Sequence, residues 1–119
     1  MSPRITTAAL LAIALAGCAT RPAPQAWTVG EEATIEGEIL AVDTAPWAYD
    51  GNAIVRVATV QQGTVQVQLP ARWNRCKAEP LGDVQSLQPH DRIHASGTVI
   101  APDAVLVCAQ PQHHLRKAD

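Results

Sequence analysis

The residues of this chain with the widest choice of chemistry are its three cysteines, Cys18, Cys76 and Cys108. A thiol can be acylated, oxidised to a disulfide, or used as a thiolate ligand for a metal, and its surroundings decide between these fates. Cys18 directly follows Leu15-Ala16-Gly17 at the end of an apolar run, whereas the other two lie in the remainder of the chain. An odd cysteine in a secreted protein usually indicates an intermolecular bond or a reactive thiol. If Cys18 has a separate fate, an even number of cysteines remains in the rest of the chain.

The segment before Cys18 has the organisation of a secretory signal peptide. A single basic residue, Arg4, precedes an apolar run over residues 5–16, and small residues stand at its end. The run is too short to stay in a bilayer as a helix, which needs about 20 apolar residues. A plain secretory signal beside a chance cysteine and a buried N-terminal helix are the alternative interpretations. The position, the length and the small residues favour a signal that is removed.

The stretch Leu15-Ala16-Gly17-Cys18 resembles the lipobox of bacterial lipoproteins. In that family the cysteine thiol receives diacylglycerol, the signal is cut before it, and the new amino terminus is acylated, typically with palmitate. The resemblance implies a mature chain that begins at Cys18 and is held to a membrane by its acyl chains, since each buried CH₂ contributes about 0.8 kcal/mol. Ala19 stands where the enterobacterial pattern for inner-membrane retention has Asp. By the same resemblance we expect the outer membrane, facing the periplasm.

Assigning Cys18 to lipid leaves Cys76 and Cys108 as a pair. In an oxidising compartment the default for such a pair is a disulfide. The bond would close a loop of 108 − 76 = 32 residues and contribute roughly 3–4 kcal/mol on the loop-entropy model. This is a large share of the total stability of a small domain, which is about 5–15 kcal/mol.

The charge balance argues against nucleic acid as a partner. The chain has 9 Lys and Arg against 11 Asp and Glu, a net charge of −2, and loss of Arg4 with the signal brings it to −3. Non-specific nucleic-acid binding needs an excess of Lys and Arg. About 100 mature residues suffice for one domain. The predicted segments are the lipoprotein signal peptide (1–17), the lipidated N-terminus and tether (18–28), a β-barrel domain (29–110) and a polar C-terminal tail (111–119).

Alternating apolar and polar residues predict strands throughout the domain. The five predicted strands cover residues 34–43, 53–61, 64–69, 92–100 and 104–109. Leu40 and Val42 break the alternation late in the first strand, as expected where a strand coils or bulges. The one long connection, residues 70–90, joins the third and fourth strands. It contains two stretches, 71–78 and 84–87, with room for a helical turn but too short for a stable isolated helix.

This order of elements resembles the OB-fold, a small five-stranded Greek-key barrel with a helical connection between its third and fourth strands. The resemblance, to small bacterial envelope OB-fold proteins, covers residues 34–110 and rests on strand order and loop placement. Gly37 and Gly97 fall inside strands one and four, where a tightly coiled barrel strand bends. Another small β-barrel or a two-sheet sandwich is the alternative, because pattern alone does not fix strand pairing. We therefore expect an all-β, OB-like barrel.

The few aromatic residues indicate a candidate binding face. The OB-fold resemblance implies a ligand on strands two and three and on the loops between strands one and two and between four and five. The candidate residues of this face are Trp47, Tyr49, Arg56, Trp73 and Arg75. Their rings can stack on a base or a sugar, and guanidinium groups suit phosphate or carboxylate. The alternative is that the rings close the ends of a barrel without any Phe, while the arginines of the long connection pair with Glu79 and Asp83.

A metal site is the second candidate, made of Cys76, Cys108, His113 and His114, which together suit zinc or copper. The spacing argues against it, since the sequence has no CxxC or HxxxH motif and adjacent histidines point to opposite faces of a strand. A disulfide would also consume both thiolates. The sequence carries no nucleophile motif and no phosphate-binding glycine loop, so we expect no catalysis and no cofactor.

The predicted function is therefore a non-catalytic binding or structural module of the bacterial cell envelope, anchored by lipid at Cys18. Its predicted partners are the membrane, through the anchor, and an envelope protein, peptide or glycan. The alternative function is a metal-binding or stress-sensing envelope lipoprotein that uses Cys76, Cys108, His113 and His114.

Overall fold

The computed structural model describes residues 26–118 of the chain. The signal peptide, Cys18 and the tether up to residue 25 lie outside the described residues and remain predictions. No helix among the described residues is long and apolar enough to cross a membrane. The strands are β1 (Glu32–Asp43), β2 (Ala53–Thr59), β3 (Gly63–Leu69), β4 (Arg92–Ala101), β5 (Ala104–Leu106) and β6 (His114–Lys117).

Five of these strands form a closed mixed barrel, which confirms the all-β prediction. The order is β1-β2-β3-β5-β4, and β4 returns to pair with β1. Every pairing is antiparallel except that of β3 with β5, where Gln66 to Gln68 lie parallel to Ala104 to Leu106. Short turns join β2 to β3 and β4 to β5, as the sequence predicts.

The length of β1 allows it to pair with two neighbours and close the barrel. Residues 32–38 pair with β4, and residues 38–43 pair with β2. The register with β2 shifts between Ile39 and Ala41, at the point where Leu40 breaks the alternation. The side chain of Leu40 is exposed there. The break in pattern therefore marks a β-bulge, which sharpens the bend of a strand.

The core is aliphatic, in agreement with the alternation of the strands. The alternate residues of β1 to β5 that face inward are buried, and the largest of them are Ile35, Ile39, Val55, Val57, Val65, Val67, Leu69, Ile93, Val99 and Val105. The three tryptophans are only partly buried and pack against the edge of this cluster. β-Branched side chains fill the interior without any Phe.

Gly37 and Gly97 allow neighbouring strands to approach closely. A Cβ placed on Gly97 would lie 2.5 Å from the carbonyl oxygen of Leu106, and one on Gly37 would overlap the carbonyl oxygen of Ala58. Both contacts are with backbone, which cannot rotate away. The two glycines are thus required by the close approach of the strands.

The long connection between β3 and β4 contains no α-helix, so the helical connection implied by the OB-fold resemblance is not seen, and each of the two stretches with room for a helical turn holds only a 3₁₀ turn. It has two one-turn 3₁₀ helices, Trp73–Arg75 and Val84–Ser86. Pro80 and Pro89 interrupt any helix, because proline lacks the amide donor that a helix interior needs. In place of a helix, the amides of Lys77 and Ala78 donate to the carbonyl oxygen of Cys108, at 2.9 and 3.1 Å.

Part of the predicted polar tail forms a strand. Residues 114–117 pair with β4 on the same edge that β5 uses, and Leu115 is buried. Thr98 of β4 pairs with Leu106 of β5. Ser96, two residues earlier on β4, pairs with His114 of β6, which is eight residues later in the chain than Leu106. β5 and β6 therefore follow one another along the same side of β4, with residues 107–113 between them. We call residues 107–113 the excursion.

Candidate functional site

A shallow groove with a mostly apolar lining lies between two loops at one end of the barrel. It has a volume of about 540 Å³ and is formed by the loop after β1 and the long connection. We call it the tryptophan groove, and its lining is Trp47, Pro70, Ala71, Trp73, Pro80, Leu81, Gly82, Asp83, Val84 and Gln85. Such a volume lies within the range of small-ligand and peptide pockets.

Specific polar contacts hold the two walls of the groove together. The indole Nε1 of Trp47 donates to the carbonyl oxygen of Leu69 at 2.9 Å. The guanidinium of Arg72 donates to both carboxylate oxygens of Asp50, at 3.1 and 2.7 Å. The hydrogen bond from Arg72 lowers the pKa of Asp50 below its ordinary value, and the same contact raises the pKa of Arg72. This bidentate pair fixes the loop after β1 against the long connection.

The indole nitrogen of Trp73 is the one buried side-chain polar atom without a hydrogen-bond partner among the described residues. A buried donor left unpaired costs roughly 1–3 kcal/mol. The groove therefore has a tryptophan at each wall, one whose N–H is satisfied by the protein and one whose N–H is not.

The structure brings together only part of the predicted binding face. Trp47 and Trp73 share the groove, whereas Tyr49 is 85% exposed on the loop after β1. Arg56 lies on the outer face of β2 opposite Gln66, in a separate depression. Arg75 is exposed at the end of the 3₁₀ turn Trp73–Arg75 and is not part of the groove lining. The rings also pack on the barrel end, so the two sequence interpretations of the tryptophans are compatible.

The arginines and acids of the long connection pair differently from the sequence expectation. Arg72 pairs with Asp50, and Glu79 accepts a weak 3.4 Å contact from Arg116 of β6. Asp83 instead caps the second 3₁₀ turn by accepting from the amide of Gln85 at 3.1 Å. Arg72 and Glu79 thus pair with residues far away in sequence, whereas Asp83 bonds within its own turn.

Cys76 and Cys108 lie at disulfide distance, which is compatible with the predicted bond. Their Sγ atoms are 2.10 Å apart, and their Cα atoms are 4.6 Å apart. The pair joins the long connection to the excursion, next to the two amides that donate to the carbonyl of Cys108. The pair thus links two segments that have no strand pairing of their own.

His113 is fully buried within the excursion and is engaged at both ring nitrogens. Nδ1 accepts from the amides of Cys108 and Gln110, each at 3.3 Å, and Nε2 contacts the carboxylate of Glu32. These contacts assign the ring proton to Nε2, which donates to Glu32. The hydrogen bond from His113 lowers the pKa of Glu32, with a smaller contribution from the hydroxyl of Thr98. His113 therefore organises the excursion and has no nitrogen left for a metal.

His94 and His114 meet on the outer face of β4 and β6. Nδ1 of His94 lies 2.7 Å from Nε2 of His114, and the two ring planes are within 2° of parallel. Rings that stack face to face are separated by a van der Waals contact of about 3.5 Å, so a 2.7 Å contact means that they meet edge to edge. The sequence does not indicate this pair, because the two histidines meet only through the register of β6 on β4.

The predicted metal set is not assembled as four free donors. The two sulfur atoms face each other, and His113 is occupied as described. No group of three or more His, Cys, Asp or Glu in residues 26–118 is arranged to hold a metal ion. Comparison with known proteins adds no further guide, since no protein-family model and no curated protein matches the chain.

Proposed function

We propose that this chain is a non-catalytic binding module of the bacterial cell envelope, anchored by lipid at Cys18 and facing the periplasm from the outer membrane. The tryptophan groove is the binding surface, and an envelope protein, peptide or glycan is its ligand. The observation that carries the proposal is the apolar groove of about 540 Å³ with walls fixed by the Arg72–Asp50 pair.

The barrel supports an OB-like assignment within this proposal. The closed order β1-β2-β3-β5-β4, with β3 parallel to β5, fits the five-stranded Greek-key barrel of that fold. The groove uses the loop after β1, which belongs to the binding surface of OB-folds, together with the long connection. Fold likeness alone does not name a ligand, so the groove itself carries the functional argument.

An apolar, partly aromatic groove favours a peptide or a sugar ring over a nucleic acid. The acidic side chain of Asp83 lies on its rim, and Arg72 is already neutralised by Asp50. A tryptophan face suits the apolar side of a sugar or an aliphatic peptide side chain.

Photocrosslinking in cells tests the binding surface. A photoreactive phenylalanine replaces Gln85, which is exposed on the rim of the groove, or Val60, which is 89% exposed in the turn between β2 and β3 and serves as the control. We expect a discrete adduct from position 85, absent from position 60, and abolished by Ala71→Glu, which places a charge in the groove. Identical products from both positions, or an adduct that survives Ala71→Glu, would contradict the assignment.

Membrane anchoring is tested by replacing the acylated residue. In Cys18→Ala cells the protein is expected to shift from the membrane fraction to the soluble periplasmic fraction, because a chain without acyl groups loses about 0.8 kcal/mol per CH₂ of membrane affinity. Fractionation with immunoblotting is the measurement, and Ala19→Ser, which leaves the thiol in place, is the control. Retention of the Cys18→Ala protein in the membrane fraction would show that something else anchors it.

A further inference from the structure

The contact between His94 and His114 is oriented by the backbone of the excursion. Nδ1 of His114 donates to the carbonyl oxygen of Gln112 at 2.8 Å. That contact assigns the proton of the ring to Nδ1 and leaves a lone pair on Nε2, which faces His94. A histidine whose second nitrogen donates to a backbone carbonyl is the usual arrangement of a metal ligand, because the carbonyl fixes the tautomer and the ring orientation.

The second metal-binding nitrogen would be Nδ1 of His94. Nδ1 of His94 donates its proton to His114 in the 2.7 Å contact. A neutral imidazole carries its proton on either nitrogen, so transfer of that proton to Nε2 frees the Nδ1 lone pair. The two lone pairs then converge on the space between the rings. Zn–N bonds of about 2.0–2.1 Å in a tetrahedral site separate two nitrogens by roughly 3.4 Å, so the nitrogens need to move apart by less than about 1 Å and the rings to tilt until both lone pairs point at the metal.

The surroundings of the pair are compatible with a cation. Glu36 is the cross-strand partner of His94 on β1, and Ser96 is the partner of His114 on β4. Arg116 is the partner of His94 on β6, but it contacts Glu79 at 3.4 Å. No third protein ligand is in place within the described part of the chain. The remaining coordination positions would therefore be filled by water, with the carboxylate of Glu36 adding negative charge nearby.

We propose that His94 and His114 form a binding site for one borderline divalent transition-metal ion, of the Cu²⁺ and Zn²⁺ class. Imidazole nitrogens prefer these ions to Mg²⁺ or Ca²⁺, and the Irving–Williams order makes Cu²⁺ bind more tightly than Zn²⁺. The site is independent of the tryptophan groove, and it uses neither cysteine nor His113. Metal binding would bridge β4 and β6 and so fasten the end of the chain to the barrel.

Copper titration of the purified full-length chain tests the site. Cu²⁺ added as the chloride is expected to bind at one equivalent per chain, with an electron paramagnetic resonance spectrum that shows coupling to two imidazole nitrogens. His94→Ala and His114→Ala are each expected to weaken binding by about tenfold or more, since loss of a ligand costs at least as much as loss of a supporting contact. Zn²⁺ is expected to compete for the same site with lower affinity.

His90→Ala is the matched control, because His90 is an exposed histidine that contacts Glu38 and takes no part in the pair. It is expected to leave copper affinity unchanged. An equal loss in His90→Ala, or full binding by the His94→Ala/His114→Ala double variant, would overturn the proposal. The nitrogen count of the unmodified chain gives a result even if a variant fails to fold, since a spectrum with no imidazole coupling, or with one nitrogen only, contradicts a two-histidine site.

Discussion

Replacing both Cys76 and Cys108 with serine is expected to lower the free energy of unfolding by about 3–4 kcal/mol. The bond between them would close 32 residues of chain. Its loss frees the long connection from the excursion and exposes the amides of Lys77 and Ala78, which donate to the carbonyl of Cys108. For a domain of this size the loss is a large fraction of a total of about 5–15 kcal/mol. Urea unfolding followed by tryptophan fluorescence measures it.

The bond itself is checked by titration of free thiols in denaturant without reductant. In a Cys18→Ala background the chain has only the two remaining cysteines, and none should react. Two reactive thiols per chain would disprove the disulfide. If the bond is present but the serine variant is as stable as the parent, the loop-entropy account of its role would be wrong.

Gly37→Ala is expected to destabilise the barrel by about 3 kcal/mol or to prevent folding. The added Cβ would overlap the carbonyl oxygen of Ala58 and lie 2.7 Å from Cγ1 of Val57. The first of these atoms belongs to the backbone of β2, so relief requires movement of the strand that pairs with β1. Thermal unfolding by circular dichroism measures the effect.

The control for Gly37 is Gly63→Ala, at the start of β3. Gly63 has a φ of +71° and open space within 4 Å of its Cβ position. This variant carries only the conformational cost of a left-handed residue, about 1–2 kcal/mol. A loss in Gly37→Ala no greater than that in Gly63→Ala would show that β1 and β2 accommodate the methyl group.

Local pattern was sufficient to locate the barrel strands. Alternation depends only on residues two apart, so each inward-facing face could be predicted without knowledge of its partners. The break in alternation at Leu40 indicated the β-bulge for the same reason, because it is also a local feature of the sequence. The cysteine pair also followed from sequence, because assignment of Cys18 to lipid left only one pairing to make.

The features that depend on register between distant strands could not be predicted. His94 meets His114, and Glu32 meets His113, only because β6 resumes the edge of β4 after the excursion. β6 itself was missed because Leu115 is its one buried apolar residue, too weak a signal among polar neighbours. The conformation of the long connection could not be predicted for another reason: the amides of Lys77 and Ala78 donate to the carbonyl of Cys108, a distant partner that no local propensity encodes.

The length of β1 determines how far the tether and the tryptophan groove are separated along the chain. Glu32, at its start, lies beside the chain that leads to the tether, while Trp47 follows its other end. Twelve strand residues at about 3.3 Å each give a contour of roughly 35–40 Å, shortened by the coil of the barrel. Under the proposed anchoring, the tether joins the domain near the start of β1, whereas the groove lies beyond the other end of that strand. A bound ligand would then sit at the end of the domain that is remote from its point of attachment.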